Sequence, residues 1–515
     1  MARAPGCIVF EEGKLCAVVA EPRAEQALRF ARLALRRVRI LELRLDYLES
    51  EDEFAALLRG IVPLAAQATL IATCRRKEAG GRFSGSIARQ ISRLVLAAAS
   101  GCAWCDLEME TLERLDAGTL RKTLGDVRLI ASFHDFARTP ARLGQLRQRL
   151  EASGADAVKI AAVTRHYREL VRLLRTAHRR RNVIVVPMGE IGAPGRIAAL
   201  REGSALAYAS GDRAVAPGQL TLESMQSLYR VDRHSRGTAL YGVIGNPIAH
   251  SLSPLLHNTG FEHRRINAVF APFLVRDLKD FMKSVRPLRI SGLSVTIPHK
   301  QQIVRFLDEC DPLALEIGAV NTVVCRAGKL HGYNTDFDAV MQSLGRRMKL
   351  EGARVLICGA GGAARTVGFA AARAGASVFF CARRQEAART AARAFGAEAV
   401  ERKDLRELEF DAVVNATPIG MMPDVDASPL EAAELRCDLV FDLIYRPVRT
   451  RLLRLAERRG IRTLSGAEMF VAQGVAQWEL WTGEKAPLAA MRAEVTAALA
   501  REESKSQDSS ARGAT

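Results

Sequence analysis

Up to about residue 225 the chain alternates short apolar runs with amphipathic stretches. The runs Leu15–Ala20, Ile40–Leu45, Thr69–Cys74, Ala103–Glu108, Val127–Ser132, Asp156–Ile160, Asn182–Pro187 and Ala205–Ser210 have the length and composition of strands. Between them, stretches such as Glu25–Arg37 and Ile87–Ser100 repeat apolar positions at helical spacing. Eight strand–helix units in this length predict an α/β fold, a (β/α)8 TIM barrel. An open doubly wound sheet gives a similar pattern, so periodicity alone does not separate the two.

The polar run Val231–Thr238 marks a linker, and the apolar strand Ala239–Ile244 opens a second half. That half also alternates strands and helices, with a glycine-rich turn after the strand Arg354–Cys358. The charged stretch Arg501–Thr515, rich in Ser and Ala, reads as a disordered tail.

A length of 515 residues exceeds one ordinary core, so two or three domains are expected. With 48% hydrophobic and 26% charged residues the chain is neither disordered nor fibrous. No run approaches the roughly 18 apolar residues a membrane helix needs. Glu11, Glu12 and Lys14 interrupt the apolar start, so no signal peptide is expected and the cytoplasm is the default. The net charge of +18 raises the question of a nucleic-acid partner. The arginines are scattered along helical stretches without interleaved aromatics, however, so none is expected. Ten dispersed cysteines suggest free thiols. Cys102 and Cys105 form a lone CxxC in a strand-like run, where residues three apart face opposite sides, so no metal site is expected.

In the first half, polar residues sit on the strands themselves. Glu42, Arg44 and Asp46 are two apart and share a face. Arg75 follows the third strand, His134 and Asp135 close the fifth, Lys159 lies near the end of the sixth, and Arg196 follows the seventh. In a barrel, active sites form at the C-terminal strand ends. A lysine among apolar neighbours, as in Ala-Asp-Ala-Val-Lys159-Ile, is favoured as an amine nucleophile, although a lysine paired with a carboxylate is as common. With His134 to move a proton, such an amine has the apparatus for elimination beside a ketone.

The stretches Glu-Leu-Arg-Leu-Asp (42–46), Ala-Ser-Phe-His-Asp-Phe (131–136), Val-Lys-Ile-Ala (158–161) and Ala-Pro-Gly-Gln (216–219) resemble type I 3-dehydroquinate dehydratase over nearly the whole first half. The resemblance implies a Schiff base on Lys159 and His134 as general base and then acid. It gives Glu42, Arg44, Arg75, Arg196 and Gln219 to the substrate. Three departures stand out. Ala79 separates Glu78 from the Gly pair, Val215 replaces a hydroxyl residue, and Tyr208 stands for an aromatic lid residue.

In the second half, Gly359-Ala360-Gly361-Gly362-Ala363 follows a strand and opens a helix, the context of a dinucleotide fingerprint. Arg383 and Arg384 stand where an acid would bind the ribose of NAD, which favours the 2′-phosphate of NADP. Ser251 and Ser253 can donate to a carboxylate. Lys300 and Asp336 can serve as a proton-transfer pair beside a nicotinamide.

Together with Ile-Gly-Ala-Val-Asn-Thr (317–322), Asn-Ala-Thr-Pro-Ile-Gly-Met (415–421) and Met-Phe-Val-Ala-Gln (469–473), these stretches resemble shikimate dehydrogenase over residues 240–500. The resemblance gives catalysis to Lys300 and Asp336, and the substrate to Ser251, Ser253, Thr296, Asn321, Thr335, Tyr445 and Gln473. NADP(H) falls to the glycine turn, Arg383, Arg384, Thr417 and Met421. Both serines being present favours shikimate over quinate.

The implied organisation is a dehydratase barrel over 1–230, a linker over 231–238 and a substrate lobe over 239–340 completed by 465–500. A Rossmann lobe occupies 341–464 and a tail 501–515. The expected partners are small molecules, namely 3-dehydroquinate, 3-dehydroshikimate and shikimate. The competing readings are a dehydrogenase, for shikimate or quinate, carrying a decayed barrel.

Overall fold

A computed structural model describes residue 10 and residues 12–211 and 218–512. It divides into two compact units, Met1–Ala239 with Lys279–Arg289 and Leu240–Leu278 with Ile290–Thr515.

The first unit carries β1 (Leu15–Val19), β2 (Ile40–Arg44), β3 (Thr69–Thr73), β4 (Trp104–Glu108), β5 (Arg128–Asp135), β6 (Ala157–Val163), β7 (Val183–Met188) and β8 (Ala207–Ser210). These pair in the order β8-β1-β2-β3-β4-β5-β6-β7, a near-closed parallel barrel with helices between the strands. Local signals fix several helix starts. Ser50 and Ser86 each accept a hydrogen bond from the backbone three residues on, at 3.2 Å. The expected strands fall on the observed ones, but β5 and β6 run on to Asp135 and Val163. Lys159 is therefore the third residue of its strand rather than near its end.

Strand alternation sorts the barrel interior into layers. Ile40, Ile71, Trp104, Ile130, Ala157 and Ile184 form an apolar floor, and Phe10 stacks on Trp104 at 4.7 Å. Two residues further along their strands come Glu42, Thr73, Asp106, Ser132 and Lys159, all buried. The sequence thus lays a charged layer directly on an apolar one. The run 231–238, expected as a linker, is folded into this unit. His234 is buried with its ring nitrogens 3.0 and 2.9 Å from the carbonyl oxygens of Ile197 and Tyr229. Arg201 donates to the Thr238 carbonyl at 2.6 Å.

The second unit holds two sheets. One contains β9 (Ala239–Gly245), β10 (Ala268–Leu274), β11 (Ile290–Val295), β12 (Glu309–Cys310), β13 (Thr322–Arg326) and β14 (Lys329–Tyr333), in the order β10-β9-β11-β13-β14-β12. The other contains β15 (Arg354–Cys358), β16 (Ser377–Cys381), β17 (Glu398–Ala399), β18 (Phe410–Asn415), β19 (Cys437–Asp442) and β20 (Arg462–Ser465), in the order β17-β16-β15-β18-β19-β20. This second sheet is parallel throughout and covered on both faces, as its near-continuous apolar strands require. Val355, Ile357, Phe380 and Phe441 pack on one side, and Leu356, Phe379, Val413 and Val440 on the other. The helix Ala467–Thr482 returns to the first sheet, where Trp481 Nε1 donates to the Val323 carbonyl at 3.0 Å.

The last helix, Leu488–Arg512, runs through most of the stretch expected to be a disordered tail. Its Ala, Glu, Arg and Lys are good helix formers and continue a helix already anchored by Met491, Val495 and Leu499. Residues 513–515 lie outside the described residues. Among the described residues, no helix is long and apolar enough to cross a membrane, and no His, Cys, Asp and Glu group could hold a metal ion.

Candidate active sites

In the barrel, the charged layer forms one network. Lys159 Nζ lies 3.1 Å from Glu42 Oε1 and closer still to Asp106 Oδ2, with the Tyr208 ring centroid 4.7 Å away. Thr73 Oγ1 donates to Glu42 Oε1 at 2.9 Å. The other oxygen of Asp106 accepts from Arg75 Nη2 and Ser132 Oγ, both at 2.6 Å. Arg75 Nη1 donates to Ser132 Oγ and approaches Glu108 Oε2 at 3.7 Å. Each charge in this buried layer is paired, as the cost of a lone buried charge demands. The amine environment differs from expectation: two carboxylates, not only apolar groups, flank Lys159.

The network sets two protonation states. Burial alone would raise the Asp106 carboxyl, but Arg75 and Lys159 beside it hold it below the usual carboxylate range. Burial, aided by the charges of Arg75 and Lys159, pushes the His134 imidazole well below its ordinary value, so it is neutral near pH 7. Its Nδ1 has no hydrogen-bond partner among the described residues. A neutral imidazole on β5, next to the lysine strand, can accept a proton.

The remaining expected residues occupy the same ends of the barrel strands. Arg44 forms a two-pronged pair with Asp46 at 2.9 and 2.8 Å, and the Arg82 backbone donates to that carboxylate at 3.0 Å. Arg196 is buried in the first turn of the helix after β7, and burial lowers its guanidinium to about 10. Gln219 is half-buried beyond β8. Glu78 points away from the network: its side chain is 67% exposed and lies 3.4 Å from Arg76, while Ala79 is buried. Tyr208 is no lid; strand alternation turns it inward from β8, beside the lysine. Val215, Ala216 and Pro217 lie outside the described residues. Sequence reasoning missed Asp106, Glu108 and Ser132. The signal of the two acids was present in Trp-Cys-Asp-Leu-Glu (104–108), where they stand two apart and interrupt an apolar strand as Glu42 and Arg44 do.

In the second unit, the loop after β11 and the helix Asp336–Gly345 bring Lys300 Nζ within 2.5 Å of Asp336 Oδ2. The Val320 backbone donates to the Lys300 carbonyl at 2.8 Å and fixes that loop. Asp336 sits in the first helical turn, where the helix dipole favours a carboxylate. Asn321 is oriented by Thr335, whose backbone donates to Asn321 Oδ1 at 2.8 Å and whose hydroxyl accepts from Asn321 Nδ2 at 3.0 Å. Thr335 thus backs Asn321 rather than lining the cavity. A cavity of about 410 Å³ is walled by Ser251, Ser253, Thr296, Asn321, Tyr445 and Gln473, together with Lys300 and Asp336. Tyr445 stacks on Phe470 at 4.2 Å, and its hydroxyl meets Ser251 and the Leu252 backbone.

A second cavity of about 400 Å³ is lined by Gly359, Ala360, Gly361, Gly362, Ala363, Arg383, Arg384 and Thr417. Lys300, Ala363 and Thr417 belong to both walls, and Met421 lines the first. Gly359 has φ +114°, and a Cβ there would come 3.1 Å from the Ala416 carbonyl oxygen. A side chain at this turn would be strained, and the helix from Gly362 sets its first turn, whose N–H groups have no partner inside a helix, on the cavity wall. Behind the second wall, Asn415 Oδ1 accepts from Thr417 N at 3.0 Å and Thr417 Oγ1 at 2.7 Å. Its Nδ2 donates to Asp442 at 3.0 Å. Asp442 also accepts from Thr450 Oγ1 at 2.6 Å and from the Ile444 backbone at 3.0 Å; its burial raises the carboxyl to about 6. Asp442 was not anticipated from the sequence.

The family profile for Type I 3-dehydroquinase matches residues 15–236. That for the shikimate dehydrogenase substrate binding domain matches 243–323, and that for the Shikimate 5'-dehydrogenase C-terminal domain matches 466–496. The bifunctional 3-dehydroquinate dehydratase/shikimate dehydrogenase of Arabidopsis thaliana, named as chloroplastic, is 34% identical over 87% of this chain and 78% of its own. A shikimate dehydrogenase (NADP(+)) of Bacillus cereus is 43% identical over 47% of this chain and 92% of its own. A crystal structure of shikimate 5-dehydrogenase from Thermus thermophilus with NADP(H) and shikimate is 35% identical, covering 51% of this chain and 100% of that one, with a TM-score of 0.47. With more than two thirds of this bifunctional relative covered and both enzymatic halves matched in order, the chain belongs to the family of bifunctional 3-dehydroquinate dehydratase/shikimate dehydrogenases.

Proposed function

We propose that the barrel dehydrates 3-dehydroquinate to 3-dehydroshikimate through an imine on Lys159, and that the second unit reduces this ketone to shikimate with NADPH. The barrel reading rests on one observation, the Lys159 amine held between Glu42 and Asp106 with a neutral His134 on the next strand. Lys159 Nζ adds to the substrate ketone, water leaves and an imine forms. His134 takes the proton from C2, the electrons pass into the imine, and the hydroxyl departs from C1 with a proton returned by His134. Water then hydrolyses the imine and restores the amine. Arg44, Arg75, Arg196 and Gln219 hold the carboxylate and hydroxyls.

The second cavity suits a dinucleotide, since its glycine turn lets a pyrophosphate approach the helix N-terminus and its two arginines suit a 2′-phosphate. NADPH, when bound there, supplies a hydride to the substrate carbonyl carbon. Ser251, Ser253 and Tyr445 receive the substrate carboxylate, while Asn321 and Gln473 orient the ring hydroxyls. Lys300, held by Asp336, delivers the proton to the carbonyl oxygen as it becomes a hydroxyl. Lys300 stands on both cavity walls, which supports its reading as the proton donor. The nine described cysteines are all free, which supports a reducing, cytoplasmic setting.

The test follows the two steps separately in the full chain and its Lys159→Ala and Lys300→Ala variants. Enone formation from dehydroquinate reports the first step, and NADPH loss with dehydroshikimate reports the second. Each variant should lose only its own step, and borohydride reduction with substrate should attach substrate carbon to Lys159. Unmodified chain that consumes NADPH but never dehydrates dehydroquinate would instead establish a decayed barrel.

A further inference from the structure

The wall of the dehydrogenase substrate cavity includes an arginine outside the residue set named above. Arg446 follows Tyr445 directly and lines the 410 Å³ cavity. Its Nη1 donates to the His250 carbonyl at 2.6 Å, immediately before Ser251. Its Nη2 meets Glu502 Oε1 at 2.5 Å, with side-chain exposures of 21% for Arg446 and 35% for Glu502. Glu502 belongs to the last helix, Leu488–Arg512. One guanidinium therefore ties together the serine loop, the Tyr445 loop and the C-terminal helix.

Its third nitrogen is the informative one. Arg446 Nε is buried and has no hydrogen-bond partner among the described residues. A buried N–H without an acceptor costs free energy that a small turn of the side chain toward a ligand oxygen in the cavity can recover. The guanidinium is always charged, so the ligand group that gains most is an anionic oxygen. The flanking donors Ser251, Ser253 and Tyr445 point to the same chemistry, an oxygen-rich anionic group at this end of the cavity.

We propose that Arg446 is a further binding residue for the carboxylate of the dehydrogenase substrate, and that Glu502 is a positioning residue that holds it there. The proposal rests on the assignment of Ser251, Ser253 and Tyr445 to that carboxylate. It gives the C-terminal helix a part in substrate recognition.

The experiment uses the full chain with Arg446→Gln, Arg446→Lys, Glu502→Gln and, as a reference, Ser251→Ala. KM is measured for shikimate and for NADP, and shikimate methyl ester is compared as substrate or competitive inhibitor. Arg446→Gln should raise KM for shikimate about tenfold and leave the ester within about twofold, since the ester lacks the charge. KM for NADP and dehydratase turnover should stay within about twofold, which also shows that the variant folds. Arg446→Lys should recover part of the loss, and Glu502→Gln should show a smaller loss with the same selectivity for shikimate over ester. Equal losses for acid and ester, or none, overturn the proposal; should Arg446→Gln not fold, Glu502→Gln decides by the same comparison. If Ser251→Ala also leaves shikimate KM unchanged, the placement of the carboxylate itself has failed. If only the Arg446 and Glu502 variants are silent, the failure is confined to this inference.

Discussion

Asp106 is the joint of the barrel site, and Asp106→Asn is the sharpest perturbation of it. One carboxylate oxygen accepts from Arg75 and Ser132 at 2.6 Å, and the other faces Lys159. The amide keeps the shape and one acceptor but turns an NH2 toward the lysine and removes the charge shared by two buried cations. Breaking a buried pair from one side costs about 3–5 kcal/mol. Glu108, 3.7 Å from Arg75, and Glu42, 3.1 Å from Lys159, offset part of this, so roughly 3 kcal/mol is expected. If that loss falls on the arrangement of Lys159 for attack, turnover drops about a hundredfold. Because the native carboxyl lies below its unfolded value, its stabilisation is present above the unfolded pKa and fades as pH falls. The destabilisation by Asn should therefore be largest at neutral pH and shrink in acid. Enone formation measures the activity, with dehydrogenase turnover in the same sample as reference, and hydrogen exchange of β3 to β6 amides measures stability. Dehydratase turnover within about threefold of the unmodified chain, with unchanged amide protection, would refute the reasoning.

Asp442→Asn tests the opposite sign. Its folded carboxyl, raised to about 6, contributes stability present below the unfolded value and lost as pH rises through 6, so the charged form carries about 3 kcal/mol of cost at alkaline pH. The variant should gain unfolding resistance near pH 8 but not near pH 4, as read from the transition of the second unit, and a pH-independent difference would count against it. Gly362→Ala would set a Cβ 2.7 Å from Lys300 Cβ, so dehydrogenase turnover should fall about a hundredfold while dehydration is untouched. Glu78→Gln should leave dehydration within about twofold in steady-state assay, because that side chain faces solvent.

Much of this molecule was legible because its functional residues violate local pattern. Lys159, Glu42 and His134 interrupt strands that are otherwise apolar, and the glycine turn at 359–363 follows a strand and opens a helix. Asp106 and Glu108 obey the same logic and could have been found by treating every charge inside a strand alike. The end of β6 was misjudged because Ala161 to Val163 extend the strand through small apolar residues that turn signals do not bound. Arg446 and Glu502 had no local signal at all. Each is one charge in a chain rich in charges, and their meeting is a tertiary fact. The terminal helix was misread for a related reason, since polar composition argues for disorder only where nothing anchors the segment, and here Met491, Val495 and Leu499 do.

In the proposed function, surroundings divide one side-chain chemistry between two lysines. Lys159 is 5% exposed, enclosed by two carboxylates and an aromatic ring on the interior of a rigid barrel. That setting suits a nucleophile: the amine is held by rigid strands, and the neutral His134 on the next strand can take the proton released when nitrogen adds to a carbonyl. Lys300 is 15% exposed, held by one carboxylate on a loop, and stands on the walls of two cavities. That setting suits a donor: it must reach the oxygen that gains charge beside the nicotinamide and be reprotonated between turnovers, which a sealed interior would hinder. The two settings thus match the two proposed roles. Among the described residues, one carboxylate pairs with Lys300 and two pair with Lys159.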